Sequence, residues 1–203
     1  MTVKATITEQ QRQKLNSRKA ILDAANICYA RKGITATTID DIAEQASLGR
    51  ATIYRHFSNH DDILSHLLHR EFNSVYETIQ EKILVEDDPR EILRFVFTFI
   101  LTEFQKLPLH RIIMREDTAF TMARLANNSE LLSNLQLSLV KPMHRKIQAA
   151  GLLREGITAP MLADWLQRLT LALYTIPSDV LSGEKNIQRY LDSFVIPSLL
   201  KDG

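Results

Sequence analysis

Residues 50–57 of this sequence contain several side chains that can donate hydrogen bonds. Ile53 and Phe57 are four residues apart, so on a helix they fall on the same face. The opposite face then carries five polar residues, which are Arg50, Thr52, Tyr54, Arg55 and His56. Side chains of these types donate hydrogen bonds to base edges and to phosphate oxygens. The pattern predicts a helix whose polar face is suited to nucleic-acid contacts.

A second short helix is predicted just before this segment. Thr38 is typical of an N-cap, with Asp41 as the acidic half of a capping box, and the helix is expected from Ile39 to Ala46. A break at residues 47–49 separates the two helices, which gives the dimensions of a helix-turn-helix. The second helix of such a unit enters the major groove of DNA, which is about 12 Å wide. Helix-turn-helix geometry also occurs in proteins that never touch DNA, so the spacing alone leaves both possibilities open.

The residues of this region also carry a family resemblance. Residues 21–64 resemble the DNA-binding domain of the TetR (tetracycline-repressor) family of transcriptional regulators, over about 50 of the 203 residues. The matching strings are ILDAA at 21–25, YARKG at 29–33, TT at 37–38, IAEQA at 42–46 and TIYRHF at 52–57, followed by an acidic pair and Leu64. The resemblance implies an all-α protein, in which a three-helix helix-turn-helix domain precedes a larger helical ligand-binding and dimerisation bundle. Helical periodicity along the rest of the chain brings the expected number of helices to about nine.

The resemblance assigns roles to the residues that match the motif. Thr38 lies where the family contacts a DNA phosphate at the start of the second helix. Arg50 lies where a base-reading residue often stands, and an arginine can pair with both acceptors of a guanine edge. Thr52 can reach a base or a phosphate. Arg55 is left out of this set, because it suits a solvated or packing position equally well.

Tyr54 and His56 match residues that grip the phosphate backbone, although partial burial of Tyr54 is an alternative. The sequence also departs from the family pattern. His60 falls where the family usually has lysine, so this phosphate contact should be weaker and sensitive to pH near the unperturbed histidine pKa of about 6.5. Ser47 replaces the usual turn glycine and Gly49 replaces the usual N-cap serine, so we expect a slightly different turn.

The second half of the chain should bind an unknown small-molecule effector, as the resemblance implies. Helices are predicted over 89–106, 108–125, 130–150, 160–176 and 184–200. Six residues are candidates for the lining of a pocket, namely Phe95, Phe99, Arg115, Phe120, Trp165 and Tyr174. A phenylalanine at helical spacing is more often ordinary core, and a surface ion pair is the alternative for Arg115.

Residues 160–200 are predicted to form a homodimer interface. The apolar residues with helical spacing there are Leu162, Trp165, Leu166, Leu169, Leu173, Ile176, Ile187, Leu191, Phe194 and Val195. Two such helices from each subunit would build a four-helix bundle across a two-fold axis, as is usual in the family. A dimer would read a palindromic operator, whose half-sites lie about 34–36 Å apart. A repressor released by its ligand is the expected mechanism, with the helix near 60–85 as the lever.

Three segments are expected, which are a basic N-terminal arm at 1–14, the helix-turn-helix domain at 15–64 and the effector and dimerisation domain at 65–203. The whole chain has a net charge of +1, yet residues 4–32 hold seven cations against two acidic residues. The arm could therefore follow the DNA backbone or serve only as a solubilising tail. The excess of basic charge lies at the end of the chain expected to meet DNA.

Composition excludes several classes of protein. The longest stretches without a charged residue have ten residues, too short for a membrane helix, which needs roughly 20. One cysteine, Cys28, permits no internal disulfide, and no signal peptide is evident, so we expect a cytoplasmic protein without a membrane partner. Catalytic residues, cofactor and metal are not expected. Two alternatives stay open, a metal sensor that uses Asp62, His66 and His69, and an enzyme on a helical scaffold.

Overall fold

The computed structural model describes residues 8–115, 124–125, 128–176 and 178–201. Over these residues the protein is built from helices without a named β-strand, and the only extended pairing is an isolated antiparallel bridge between Leu153 and Leu200. The all-α class predicted from periodicity is confirmed. Within the described residues, no helix combines the length and the apolar composition needed to cross a membrane.

The chain divides into two compact units, Met1–Leu67 and Leu68–Gly203. The helices that contribute to the first unit are α1 (Glu9–Lys32), α2 (Ile39–Gln45), α3 (Arg50–His56) and the first turns of α4 (His60–Val85). Helix α2 ends at Gln45, one residue before the predicted end at Ala46, so residues 46–49 separate α2 from α3. The resemblance to a three-helix DNA-binding domain thus holds for the order and length of these elements.

Helix α1 begins at Glu9, earlier than the apolar pattern predicts. Thr8 and Gln11 form a capping box, in which the Thr8 N–H donates to Gln11 Oε1 at 2.9 Å and the Gln11 N–H donates to Thr8 Oγ1 at 3.3 Å. These bonds satisfy two of the donors that a helix start leaves open. Residues 9–14, which we expected in the basic N-terminal arm, are therefore helical.

Local capping also fixes the starts of α2 and α4. The predicted capping box of Thr38 and Asp41 is confirmed. At α4, the Asp62 N–H donates to Asn59 Oδ1 at 2.9 Å, and the Asp62 carboxylate accepts the Ser58 N–H at 2.8 Å. Side chains therefore satisfy the first amides of both α2 and α4.

The core of the first unit lies beneath the C-terminal half of α1. Its buried residues include Ile21, Ala25, Cys28, Tyr29, Ile42, Ala43, Ile53, Phe57, Ile63 and Leu64. Leu15 belongs to the same apolar stripe in the sequence but is 56% exposed. Helix α1 has 24 residues whereas α2 and α3 have seven each, so its N-terminal half extends beyond the helices that could cover Leu15.

The second unit contains the rest of α4 and six further helices among the described residues. They are α5 (Pro89–Glu103), α6 (Pro108–Arg115), α7 (Glu130–Ala149), α8 (Ala159–Thr175), α9 (Glu184–Tyr190) and α10 (Ile196–Leu199), with 3-10 turns at Phe104–Lys106 and Asp179–Leu181. Helix α8 packs on α7 and on α5. The predicted helix 108–125 is described only to Arg115 and at residues 124–125, so Phe120 lies outside the described residues.

The last predicted helix, 184–200, is not continuous. A π-helical segment, Leu191–Val195, separates α9 from α10. Pro197 lacks an N–H, and its ring would clash with the carbonyl four residues earlier, at Ser193. The backbone adjusts to the proline one turn ahead of it, which is where a π segment relieves such a clash.

Candidate nucleic-acid interface and effector cavity

Helix α3 presents the two faces that its sequence predicts. Ile53 and Phe57 are buried in the core of the first unit. Arg50, Tyr54 and Arg55 are exposed, and 48% of the Tyr54 surface is open to solvent. The exposed side is therefore free of large aliphatic residues and rich in donors, as a helix that enters a groove requires.

The turn before α3 contains a residue with an unusual backbone. Ser47 has φ of +54°, in the left-handed region that favours glycine. Its N–H donates to the Glu44 carbonyl at 3.0 Å, and the Leu48 N–H donates to the Ala43 carbonyl at 2.9 Å. Gly49 then caps α3 with extended backbone and no side-chain bond. The turn thus has at Ser47 the left-handed geometry for which glycine is suited.

Arg50, the predicted base-reading residue, stands in the first turn of α3. Its Nη1 donates to Asp40 Oδ2 at 2.9 Å, and both side chains are more than half exposed. The guanidinium carbon lies 5.9 Å from the centre of the Tyr54 ring. An exposed ion pair of this kind contributes little to stability, so it leaves Arg50 able to exchange its partner.

Thr38, the predicted phosphate contact at the start of α2, already uses its hydroxyl. The hydroxyl donates to Asp41 Oδ2 at 2.8 Å and accepts the Asp41 N–H at 3.2 Å. The Lys32 ammonium pairs with the same carboxylate, and this pair, together with the Thr38 bonds, holds the pKa of Asp41 well below its usual range. A phosphate bound by the Thr38 hydroxyl would have to compete with the cap.

The two predicted phosphate-binding histidines turn their rings inward. Both ring nitrogens of His56 are shielded from solvent, and no described residue hydrogen-bonds them. Burial, and then the nearby charge of Arg55, lowers the pKa of His56, so its imidazole is neutral at pH 7. His60 packs edge-on against Tyr29, with ring centres 5.3 Å apart and its Nε2 shielded. Phosphate contacts by these imidazoles stay predictions, and each needs the ring to rotate outward.

One contact that fixes α3 was missed by the sequence reasoning. Arg18 of α1 donates from Nη1 to the carbonyl of His56 at 3.4 Å, and its guanidinium carbon lies 4.6 Å from the centre of the Phe57 ring. The cation therefore sits at the negative end of the α3 dipole. No spacing rule could find this pair, because 38 residues separate the partners.

The metal-sensing alternative gains no support from the geometry. The Asp62 carboxylate is used by Ser58, and His66 Nδ1 lies 2.8 Å from the Asp62 carbonyl oxygen. Over the described residues, no three His, Cys, Asp or Glu side chains are arranged to hold a metal ion. The nucleophile of the enzyme alternative, Cys28, is buried, and burial raises its pKa. A reactive thiol has the opposite environment.

The second unit contains an apolar cavity of about 130 Å³. Its lining residues come from α4 to α8 and from the short segments between them; they are Phe72, Tyr76, Val96, Phe97, Ile100, Phe104, His110, Leu125, Leu132, Leu135, Gln136, Leu139, Val140, Met143, Leu166, Gln167, Thr170 and Leu171. Burial lowers the pKa of His110 to about 4, so that its ring is neutral at pH 7. The lining of the cavity is therefore mainly apolar, with a few uncharged polar groups.

The predicted pocket residues are only partly associated with this cavity. Trp165 lies edge-on to Phe97, which is a lining residue, with ring centres 6.3 Å apart. Phe95 and Phe99 stack on each other beside a different, more polar pocket of about 300 Å³. The side chains of Arg115 and Tyr174 lie outside what the structure describes, as does all of Phe120.

The sequence reasoning overlooked two further lining residues of α4, Phe72 and Tyr76. The only available signal was their spacing of four, which places both on one face of a long helix. The sequence predicts that helix as a connecting lever, and spacing alone does not identify its apolar face as the wall of a cavity. His110, surrounded by aromatic rings, had no sequence signal at all.

The predicted dimer residues need a correction. Five of them are buried within their own chain, namely Leu162, Leu166, Ile187, Leu191 and Val195. The same helical period satisfies the packing of α8 on α5 and α7, so spacing alone could not tell core from interface. Large apolar side chains that do face outward include Met161, Ile176 and Phe194, which are 58%, 66% and 65% exposed.

Comparisons with known proteins agree on a family. The family model for "Bacterial regulatory proteins, tetR family" matches residues 21–67. The "Probable acrEF/envCD operon repressor" of Escherichia coli K12 is 29% identical over 105 residues, which are 51% of this chain and 47% of that protein. The chain thus spans about half the length of that relative.

Two solved structures share the fold along most of the chain. One is SmeT, the repressor of a Stenotrophomonas maltophilia multidrug efflux pump, which has 23% identity and a TM-score of 0.59 over 92% of this chain and 91% of SmeT. Another is a TetR-family transcriptional regulator from Pectobacterium atrosepticum, with 18% identity and a TM-score of 0.66 over 95% of this chain and 99% of that one. The capped α2–α3 pair lies inside the matched residues, so residues 21–67 are similar to the N-terminal region of the tetR family, and the helical fold of the whole chain is similar to that of solved regulators of this family.

Proposed function

We propose that this protein is a sequence-specific DNA-binding repressor of transcription whose hold on its operator is released by a small molecule. The observation that carries the proposal is the division of α3, which buries Ile53 and Phe57 and exposes Arg50 and Tyr54. The exposed face fits the major groove, and the buried face anchors the helix to α1.

The side chains of α3 have distinct tasks in this proposal. Arg50 leaves Asp40 and donates both of its terminal amino groups to a guanine edge. Tyr54 donates its hydroxyl to a phosphate, and Thr52, which is half-buried, contacts a base or a phosphate nearby. Thr38 positions the start of α2 against the backbone. Phosphate contacts fix the register of the helix, and the base contact selects the sequence.

The names of relatives support repression as the direction of regulation. The Escherichia coli relative is named a probable operon repressor, and SmeT is described as the repressor of a multidrug efflux pump. The cavity of the second unit offers a place for an effector. To change an equilibrium from 99:1 to 1:99, the effector has to favour one state by about 5.5 kcal/mol. Helix α4 contributes residues to both units, and we expect it to transmit the change. The protein would act in the cytoplasm, where the DNA lies.

A homodimer completes the proposal, since one helix-turn-helix reads few base pairs. The outward apolar side chains of 160–200, among them Met161 and Phe194, would pack against the same residues of a second copy. An interface of this kind is self-complementary around a two-fold axis. Two copies would then recognise a palindrome, as we expect from the family resemblance.

A genome-wide pull-down of DNA bound to the full-length protein tests this function. We expect a discrete palindromic sequence, and Arg50→Ala should weaken binding to it by about tenfold to a hundredfold. Tyr54→Phe should weaken binding to all sequences alike, because a phosphate contact carries no sequence information. Lys106→Ala is the control, since Lys106 is an exposed cation that pairs with Glu103 in the second unit, outside residues 160–200. Recovery of DNA without a shared sequence would contradict the proposal.

A further inference from the structure

The size of the apolar cavity limits what can occupy it. Its volume is about 130 Å³. An engineered cavity of about 150 Å³, lined by Leu, Ile and Phe, binds benzene. The space therefore suits one six-membered ring with a small substituent. A long acyl chain or a set of fused rings would need the surrounding helices to move apart.

Aromatic side chains form one part of the cavity lining. Phe72 and Phe104 stack with ring centres 4.6 Å apart and planes inclined by only 3°. The His110 ring meets Phe104 edge-on at 6.2 Å. Stacked and edge-on contacts of this kind favour a flat aromatic guest, because the face of one ring attracts the edge of another.

Uncharged polar groups lie along one helix of the cavity. Gln167 and Thr170 are three residues apart on α8, so they share one face of that helix. Gln136 belongs to α7, and its side-chain amide donates to the carbonyl of Ala163 on α8. Ala163 lies one turn before Gln167. These amide and hydroxyl groups define a polar strip, Gln136, Gln167 and Thr170, that can hydrogen-bond one substituent of a guest.

No lining residue in the part of the chain that the structure describes is an aspartate, glutamate, lysine or arginine. His110 is neutral at pH 7 because its burial lowers its pKa. An ionised guest would lose its hydration without gaining a counter-charge, which is costly in an apolar space. The lining thus selects against charged molecules.

We propose that this cavity binds an uncharged single-ring aromatic molecule whose one hydrogen-bonding substituent meets the polar strip of Gln136, Gln167 and Thr170. The ring would lie against Phe72 and Phe104. The inference rests on the proposed function only in naming this molecule an effector, because the binding itself involves no DNA.

Calorimetric titration of the full chain without DNA tests the binding, with four probes of similar size. Phenol and toluene are uncharged, benzoate is an anion and benzylammonium is a cation. We expect phenol to bind most tightly and toluene to bind about fivefold more weakly, which is the usual worth of one hydrogen bond. The two charged probes should bind at least about tenfold more weakly than phenol.

Two conservative substitutions test the polar strip. In the double variant Gln167→Met, Thr170→Val, which leaves only Gln136 of the strip, phenol should lose most of its advantage over toluene, and toluene should be unaffected. Phe99→Leu is the matched control, because Phe99 lies beside the other pocket, and its change should leave both affinities unaltered. The inference is overturned if benzoate or benzylammonium binds as tightly as phenol, if no probe binds, or if Phe99→Leu abolishes binding while the strip variant does not.

A separate measurement of operator binding keeps the two proposals apart. Phenol that binds the protein and leaves the operator complex intact would support the cavity inference and contradict its role as effector site. Loss of all sequence-specific DNA binding in a protein that still takes up phenol would contradict the proposed function alone. Release of the operator by phenol, abolished in the strip variant, would support both.

Discussion

At the scale of single residues, Ser47 has a left-handed backbone conformation that is unfavourable for a residue with a side chain. A non-glycine residue at φ of +54° costs roughly 1–2 kcal/mol relative to a right-handed conformation. A glycine at this position would remove the steric cost. Part of that stabilisation would be offset, because glycine loses more conformational entropy on folding than serine does. We expect Ser47→Gly to raise the free energy of unfolding of the first unit by about 1 kcal/mol, measured by urea denaturation.

Ser47→Ala is the matched control for this prediction. Alanine also lacks the hydroxyl but retains a Cβ atom, so it leaves the left-handed strain in place. A stabilisation by alanine equal to that by glycine would mean that the hydroxyl, and not the backbone, is the source of the effect.

His110 gives the second unit a dependence on acid. Its pKa is near 4 in the folded protein and about 6.5 in the unfolded chain. As the pH falls below 6.5, the unfolded chain takes up the proton first, so the free energy of unfolding decreases between pH 6.5 and pH 4. The loss should approach about 3 kcal/mol, whereas stability above pH 7 is unaffected by this residue.

The comparison of wild type with His110→Phe, from pH 7.5 to pH 4, isolates this effect. Glu71, which accepts the Leu109 N–H at 2.8 Å, also faces this region, and burial raises its pKa. Its contribution has the opposite sign, because a raised carboxyl pKa favours folding as the pH falls, and it is common to both proteins. The denaturation midpoint of wild type should therefore fall relative to that of His110→Phe as the pH decreases. Parallel curves would contradict the buried neutral state of His110.

At the scale of secondary-structure elements, α3 depends on a contact from outside the helix-turn-helix. Arg18 donates to the His56 carbonyl at the end of α3 and covers the Phe57 ring. A cation over an aromatic ring contributes about 0.5–2 kcal/mol, depending on exposure. We expect Arg18→Ala to lower the free energy of unfolding by about 1 kcal/mol and to weaken operator binding, because α3 is held less firmly. Lys19→Ala, an exposed neighbour on the same helix, should leave stability unchanged when both are measured by thermal unfolding.

Elements whose signals are local were predicted well from the sequence. The capping box of Thr38 and Asp41 marks the start of α2, and α4 runs from His60 to Val85 as predicted. Caps and apolar periods act within a few residues, so they are visible in a string of letters. The early start of α1 was missed because its N-terminal half has no buried stripe, only the Thr8 cap.

Features that depend on distant residues were predicted poorly. The inward rings of His56 and His60 depend on packing within the first unit, and the motif gave no hint of it. The cavity likewise combines side chains from several helices of the second unit, so Phe95 and Phe99, which have good helical spacing, lie elsewhere. The periodicity of apolar residues predicts which face of a helix is buried, but it does not identify the elements that pack against that face.

At the scale of the whole molecule, assembly should depend on few outward side chains. Phe194 and Met161 are exposed, whereas several of their neighbours in the predicted interface are core residues. We expect the double variant Met161→Glu, Phe194→Glu to be a folded monomer, because two like charges would face each other across the two-fold axis. Analytical ultracentrifugation would measure the state, and affinity for the palindrome should fall at least about tenfold.

Leu84→Glu is the control for this prediction. Leu84 is a large exposed apolar residue of α4, outside the predicted interface. Its charge variant should remain dimeric and bind the palindrome as wild type does. A monomer from Leu84→Glu with an intact dimer from the double variant would move the interface to α4.

The exposed pair of Arg50 with Asp40 bears on how such a protein finds its operator. If the proposed dimer slides along DNA of the wrong sequence, Arg50 can keep its carboxylate partner at 2.9 Å, so the guanidinium is not left without a partner. The proposed contact with a guanine requires the arginine to change partner, and that exchange would involve only exposed groups. Asp40 would thereby reduce the difference in binding free energy between DNA of the wrong sequence and the operator. The protein would discriminate less strongly between them, and its search along the DNA would be faster.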